Sequence, residues 1–156
     1  MVNSNWLDAY PGIRLATASD LERILEIERL SFDANWAPHQ FSSALKEIFF
    51  VFEENEILGF LIACSCEIAR RAIIMRLAVH PDHRGRGIAS RLIVVALDKF
   101  RQLDLKCVEL DVEIVKNGAI KLYEKFGFKI MQVATVNYDE ETCFLIMKLL
   151  LRNTNP

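Results

Sequence analysis

The stretch Arg76-Leu-Ala-Val-His-Pro-Asp-His-Arg-Gly-Arg-Gly-Ile-Ala-Ser-Arg-Leu92 constrains this chain more than any other. It leaves an apolar strand at His80-Pro81, passes through a turn with two glycines and two arginines, and enters a helix. Leu92, Ile93, Ala96, Leu97 and Phe100 share one face of that helix. The first N–H groups of a helix lack intrahelical partners and carry the positive end of its dipole. Gly85 and Gly87 bring no side chains, so an anion can approach this backbone closely. Arg84 and Arg86 add charge and directional donors suited to phosphate. The combination reads as an anion cradle, above all for a pyrophosphate. The bland alternative is a glycine-containing turn with solvated arginines. The P-loop pattern G-x-x-x-x-G-K-S/T is absent, and the dinucleotide fingerprint fails because Ser90 stands where its third glycine belongs.

The flanking sequence predicts what holds this turn. Gly12 to Ala16 reads as a strand, and Thr17-Ala-Ser-Asp20 as a capping box. Leu21, Ile24, Leu25, Ile27 and Leu30 form a helical stripe through Phe32, and Pro38 opens a second helix to about Glu47. Strands are expected over Phe49–Glu53, Ile57–Ala69 and Ala72–Val79, as an antiparallel meander. A helix over Ala89–Leu103 follows. Cys107–Ile114 alternates Val108, Leu110 and Val112 against Glu109, Asp111 and Glu113. Asn117–Phe126 is a helix ended by Gly127, and Phe128–Asn137 and Thr142–Leu151 form a last hairpin. The order predicts an α/β (α+β) fold with a mixed sheet, in one domain spanning 1–156 with its core from about Gly12 to Leu151.

Length and charge narrow the class. The chain has 156 residues, 52% of them hydrophobic, and a net charge of −2 from 19 basic and 21 acidic side chains. That size suits one core. The near balance gives no polycation for nucleic acid. No apolar run reaches the roughly 18–20 residues that span a bilayer, and the start carries no basic-then-apolar leader pattern. The expectation is a cytoplasmic protein with neither nucleic-acid nor membrane partner. Cys64, Cys66, Cys107 and Cys143 form no C-x-x-C pair and read as reduced packing residues. Pro81 separates His80 from His83, so no metal site is expected.

Leu77-x-Val79-x-Pro81-x-x-Arg84-Gly85-x-Gly87-Ile88-Ala89 resembles the acetyl-CoA motif of the GNAT superfamily of N-acetyltransferases. The core of that motif is Arg/Gln-x-x-Gly-x-Gly/Ala. A second stretch, Ala119-Ile-Lys-Leu-Tyr-Glu-Lys-Phe-Gly-Phe128, is similar to the family's A-x-x-L-Y-x-x-x-G-F. Element order agrees along nearly the whole chain. The resemblance implies a mostly antiparallel central sheet flanked by about four helices, with acetyl-CoA as cosubstrate and no metal.

The resemblance also implies roles for single residues. The strand segment Leu77, Ala78 and Val79 would pair with the pantetheine arm. The backbone of Arg84, Gly85, Arg86, Gly87, Ile88 and Ala89, with Ser90 beside it, would hold the pyrophosphate. Tyr123 would be the general acid for the departing thiolate; its bland alternative is a core tyrosine with a satisfied hydroxyl. The family often has Asn seven residues before this Tyr, where this chain has Lys116 followed by Asn117. Either the helix starts one residue later and Asn117 makes the pantetheine contact, or that contact is replaced. Asp111 stands twelve residues before Tyr123, a spacing similar to the Glu–Tyr pair of the ribosomal-protein alanine N-acetyltransferase branch. Asp111, through water, is the first choice for the base and Glu113 the second; both also read as solvent-facing strand residues.

Ser31-Phe-Asp-Ala-Asn-Trp36-x-Pro-x-x-Phe41 resembles a loop of the same branch, so Trp36 either lines an acceptor channel or anchors packing. Tyr138, in the acidic turn of the last hairpin, is a second candidate for acceptor contact. An α-amine, with reference pKa near 8, is already neutral in a fraction of roughly a tenth at pH 7, whereas a lysine amine near 10.4 needs far more help. A modest base therefore favours a protein or peptide N-terminus as acceptor. A small-molecule amine (polyamine, amino acid or drug) and a noncatalytic acyl-CoA-binding sensor are the alternatives. Oligomeric state is not readable.

Overall fold

The computed structural model describes residues 6–135 and 143–152. The elements run β1 (Ile13–Leu15), α1 (Leu21–Ser31), α2 (Pro38–Ala44), β2 (Ile48–Glu54), β3 (Glu56–Cys66), β4 (Arg71–Val79), α3 (Ile88–Gln102), β5 (Cys107–Glu113), α4 (Asn117–Lys125), β6 (Lys129–Thr135) and β7 (Cys143–Leu150). The seven strands form one sheet in the order β1-β2-β3-β4-β5-β7-β6. The pairs β1–β2, β2–β3, β5–β7 and β6–β7 are antiparallel, and β4–β5 is parallel. Among the described residues this is the mixed sheet that the element order predicts, with the mostly antiparallel pairing and four α-helices that the resemblance implies. By compactness the chain forms two units. One comprises the residues through Cys64 with Arg76–Lys99; the other comprises Ser65–Met75 with the residues from Phe100 onward. Tyr138 and the acidic hairpin turn around it lie outside the described residues.

In the first unit, the carboxylate of Asp20 accepts the Thr17 backbone N–H at 2.8 Å. It also takes both Arg14 guanidinium nitrogens, at 2.8 and 2.9 Å. This carboxylate arm of the expected capping box opens a 3-10 turn at Ala18–Asp20, and α1 follows. Pro38 opens α2 as expected, but α2 ends at Ala44 rather than Glu47. The N–H groups of Leu45, Lys46 and Glu47 bond to the carbonyls three residues back, which tightens the last turn. Phe49, Phe50, Val51 and Phe52 are all buried because β2 is covered on both faces. Phe49 and Val51 pack with Ile24, Ile27 and Phe41 from α1 and α2. Phe50 meets the Trp6 ring at 6.0 Å, and Phe52 lies under the guanidinium of Arg91 on α3 at 4.6 Å. A strand covered on both sides reads as a continuous apolar run rather than an alternation.

In the second unit, β5 follows its predicted alternation: Val108, Leu110 and Val112 are buried while Asp111 is exposed and Glu109 and Glu113 are partly exposed. It pairs with β7 from Cys107↔Leu150 to Glu113↔Phe144. The parallel ladder with β4 covers only Arg71–Ile73 against Cys107–Glu109. The strand before it ends at Cys66 rather than Ala69, because residues 67–70 close a turn with Arg70 at φ +51°. The Arg70 guanidinium holds that turn to the carbonyl and carboxylate of Asp104. Gly127, at φ +98°, ends α4 as a C-cap glycine should. The cysteines are less deeply packed than expected, with Cys66 exposed and Cys64, Cys107 and Cys143 half-buried.

Candidate active site

The anion cradle forms as a local structure of the first unit. β4 ends at Val79, and His80 accepts the Asp82 backbone N–H at its ring nitrogen across a short 3-10 turn at Pro81–His83. Gly85 and Gly87 follow at φ +78° and +80°. Side chains rarely adopt this conformation, so glycine is required here by backbone geometry. A Cβ at either glycine would meet nothing within 4 Å, so both face open space. The first N–H to turn back into α3 is that of Arg91, which donates to the Gly87 carbonyl at 3.0 Å. The N–H groups of Ile88, Ala89 and Ser90 precede it and have no intrahelical acceptor. Open space over two glycines, beside a 15-residue helix start with spare donors, fits a pyrophosphate.

The arginines of this turn behave differently from the sequence expectation. Arg84 folds back, donating from Nε to the Val79 carbonyl at 2.9 Å and from Nη2 to the Ser31 hydroxyl at 3.1 Å. Arg86 pairs with the Glu54 carboxylate at 3.1 Å and the His83 ring nitrogen at 3.0 Å. Arg91 donates to the Pro11 carbonyl. The guanidiniums thus brace the turn against the protein, and the first N–H groups of α3 are left without intrahelical partners. The residue that lets α3 lie so close was not found by sequence reasoning. A Cβ on Gly59 would come within 3.0 Å of the Ala78 carbonyl and 3.2 Å of the Ile88 side chain. An isolated glycine inside an apolar strand was the available signal.

A second feature missed in the sequence stands beside Leu77–Val79. Glu28 is almost fully buried, at 1% exposure. Its carboxylate takes two bonds from Arg76, at 3.0 and 2.8 Å. The signal was its position: Glu28 is four residues after Ile24 and so falls on the buried face of α1, where a carboxylate needs a cation. Trp36 is half-buried, 5.3 Å from the Phe41 ring, and donates its backbone N–H to Glu28.

The second unit holds the acid–base candidates. Tyr123 is buried, with its ring edge-on to Phe128 at 5.7 Å. Burial, and secondarily the negative charge of Asp111, push its phenol up to about 12. Among the described residues its hydroxyl makes no hydrogen bond to the protein. Asp111 and Glu113 share a face of β5, Asp111 exposed and Glu113 partly so. Asn117 is the first residue of α4 and is exposed; Lys116 precedes it as the cap, and its carbonyl accepts the Ile120 N–H at 3.0 Å. α4 thus begins at Asn117, with Lys116 at its cap. Among the described residues, no group of three or more His, Cys, Asp or Glu side chains comes together as a metal site.

Residues 16–128 match the sequence profile of the Acetyltransferase (GNAT) family. An N-acetyltransferase of Methanocaldococcus jannaschii is 34% identical over 140 residues, covering 78% of this chain; the match spans 62% of that relative's length. An N-alpha-acetyltransferase of Saccharolobus solfataricus is 26% identical over 154 residues, 88% of this chain and 92% of that one. The ribosomal-protein-S18-alanine N-acetyltransferase of Escherichia coli superposes with a TM-score of 0.80 over 92% of this chain and 97% of its own, at 22% identity.

Proposed function

The chain belongs to the acetyltransferase (GNAT) family, and from that premise we propose that it moves the acetyl group of acetyl-CoA to the α-amine at a protein or peptide N-terminus. The observation that carries the proposal is the left-handed Gly85 and Gly87 turn opening α3, with three spare backbone donors and open space over both glycines. Support for the acceptor class comes from the relatives named N-alpha-acetyltransferase, which this chain matches over most of their length. A cytoplasmic location, where acetyl-CoA and nascent N-termini meet, belongs to the same reading.

The backbone N–H groups of Ile88, Ala89 and Ser90 bind the pyrophosphate, and the Arg84 brace holds Val79 and the turn in register. The backbone of Leu77, Ala78 and Val79 orients the pantetheine arm, and Asn117 is the candidate for a further contact to it. The acceptor nitrogen must be neutral to attack. Asp111, through a water, takes the proton that the amine gives up, with Glu113 as the second candidate. The new C–N bond forms at the acetyl carbon as the C–S bond breaks, and the Tyr123 phenol gives its proton to the departing sulfur. A phenol held near 12 stays protonated at neutral pH, which is the state a proton donor needs.

The test is an acceptor panel: N-terminal peptides, lysine peptides, polyamines and amino acids, with free CoA and product mass as readouts. Release of CoA with N-terminal peptides is the expected result. Turnover on one small amine with a flat peptide profile would assign a small-molecule acceptor. CoA binding without turnover on any amine would make the protein a sensor.

A further inference from the structure

The Glu28–Arg76 ion pair ties β4 to the last turns of α1 and the loop after it, 48 positions away in the sequence. Arg76 sits on β4 directly before Leu77–Val79. Side chains alternate along a strand, so Arg76 and Ala78 share a face, and Ala78 packs in the same core as Ile24 and Ile27 of α1. The Arg76 guanidinium uses that direction. It donates from Nε and Nη2 to the two oxygens of Glu28, and again from Nη2 to the Ala34 carbonyl at 2.8 Å. It also lies over the Phe32 ring at 3.9 Å and beside the Trp36 ring at 5.4 Å. Glu28 in turn accepts the Trp36 backbone N–H at 3.3 Å.

The segment from Phe32 to Ala37 has no regular secondary structure of its own. Its backbone is bonded at Ala34 by a mostly buried cation and at Trp36 by a fully buried anion. A planar guanidinium that forks onto a carboxylate, bonds a carbonyl and stacks on an aromatic ring specifies position far more tightly than apolar contact does. Apolar packing alone would hold α1 against the sheet, but it would leave the loop free to slide over Phe41. A buried ion pair is a weak source of stability and is better explained by the geometry it imposes.

We propose that Glu28 and Arg76 are positioning residues for the acceptor: together they hold the Phe32–Ala37 loop at a fixed distance from strand segment Leu77–Val79, so that an amine-bearing chain meets the acyl group in one orientation. The inference rests on the acetyl-transfer reading above. It adds that acceptor recognition depends on a pair that touches neither substrate.

The experiment compares wild-type protein, Glu28→Gln, Arg76→Lys and the double variant Glu28→Leu/Arg76→Met. The double variant strands no buried charge, so it folds even if a single variant does not. Two readouts are taken: hydrogen exchange of the 32–37 amides, and KM for acetyl-CoA and for an N-terminal peptide separately. The double variant is expected to exchange the Trp36 amide on the order of tenfold faster. Its peptide KM should rise by about tenfold while KM for acetyl-CoA stays unchanged. Arg76→Lys, which keeps the charge but not the fork, should fall between it and wild type. Unchanged loop exchange overturns the proposal, as does faster exchange with unchanged peptide KM, or an equal rise in both KM values. If wild-type protein acetylates no amine, the acetyl-transfer reading and the acceptor role fall together. Loop exchange then decides separately whether the pair fixes the loop.

Discussion

Tyr123 shows how one side chain's surroundings select its chemistry. Its ring is packed and its hydroxyl has no protein partner among the described residues, so the phenol is held as a neutral acid. Replacing it with Phe keeps the ring packing and removes the hydroxyl that carries the proton. The expected result is a kcat lowered by roughly 100-fold, with KM for acetyl-CoA nearly unchanged; steady-state kinetics with an N-terminal peptide checks it, and an unchanged kcat removes the acid role. The same burial has a stability signature. Below pH 10 the folded and unfolded phenol both keep the proton. Between pH 10 and 12 the unfolded chain loses it first, so stability falls as pH rises across that window, and Tyr123→Phe flattens the fall. Asp20 works with the opposite sign. Hydrogen bonding to Arg14 holds its carboxyl at about 2, below the ordinary 3.8. Its contribution is complete above pH 4 and is lost as pH drops toward 2. Asp20→Asn should therefore cost about 2 kcal/mol at neutral pH and remove part of the acid sensitivity, as read by urea unfolding at several pH values. Asp20 was legible in the sequence as the acid of a capping box. Glu28 was not, because its partner lies 48 positions away and no local pattern names it.

Elements were legible wherever a residue with a strong backbone preference marks their ends. Thr17 to Asp20, Pro38, His80-Pro81, Gly85 with Gly87, and Gly127 each stop or start an element by restricting φ or by supplying a cap. Where the stop depends on a residue without such a preference, the boundary moved: β3 ends three residues early because Arg70 adopts φ +51°. Strand order was legible only where short connections join neighbours, as in β2-β3-β4 and the last hairpin, and not where the chain crosses over. The last hairpin could pair through either of its strands, and β7 is the one beside β5, a choice fixed by tertiary packing. The Arg84 brace was hidden for the same reason, since a motif arginine beside a glycine turn reads as a ligand contact until its carbonyl partner is seen. Gly59 offers the sharpest test of how α3 is placed. Valine has a higher strand propensity than glycine, so propensity alone predicts a gain from Gly59→Val of up to ~1 kcal/mol. The contacts at 3.0 Å to the Ala78 carbonyl and 3.2 Å to Ile88 reverse the sign. The variant should lose about 1–3 kcal/mol by overpacking. Its KM for acetyl-CoA should rise as the first turn of α3 is pushed out. A variant more stable than wild type by urea unfolding would mean that α3 does not rest on β3.

A net charge of −2 gives the protein as a whole no reason to attract a polyphosphate. Attraction must therefore come from oriented groups at one place. Arg84, Arg86 and Arg91 near the cradle are all engaged by protein partners. The donors available to an anion are backbone N–H groups, whose number and direction do not change with salt or with surface mutation. Binding that depends on fixed dipoles should therefore be only mildly salt-sensitive. It should also require the pyrophosphate itself. Ligand that binds only the folded chain stabilises it by about 2.7 kcal/mol at a hundred times its Kd. For a chain of this length that corresponds to a rise in Tm of roughly 5–10 °C. CoA is expected to give that rise at both 50 mM and 300 mM salt, and pantetheine, which lacks the pyrophosphate, to give little at the same concentration. Gly87→Ala, which forces a side chain into the left-handed region, should abolish most of the CoA effect while leaving the unliganded Tm within a few degrees. If pantetheine matched CoA, or if the CoA shift vanished at 300 mM salt, the glycine turn would not be the anion site and affinity would have to come from side-chain charge or from apolar contact along the arm.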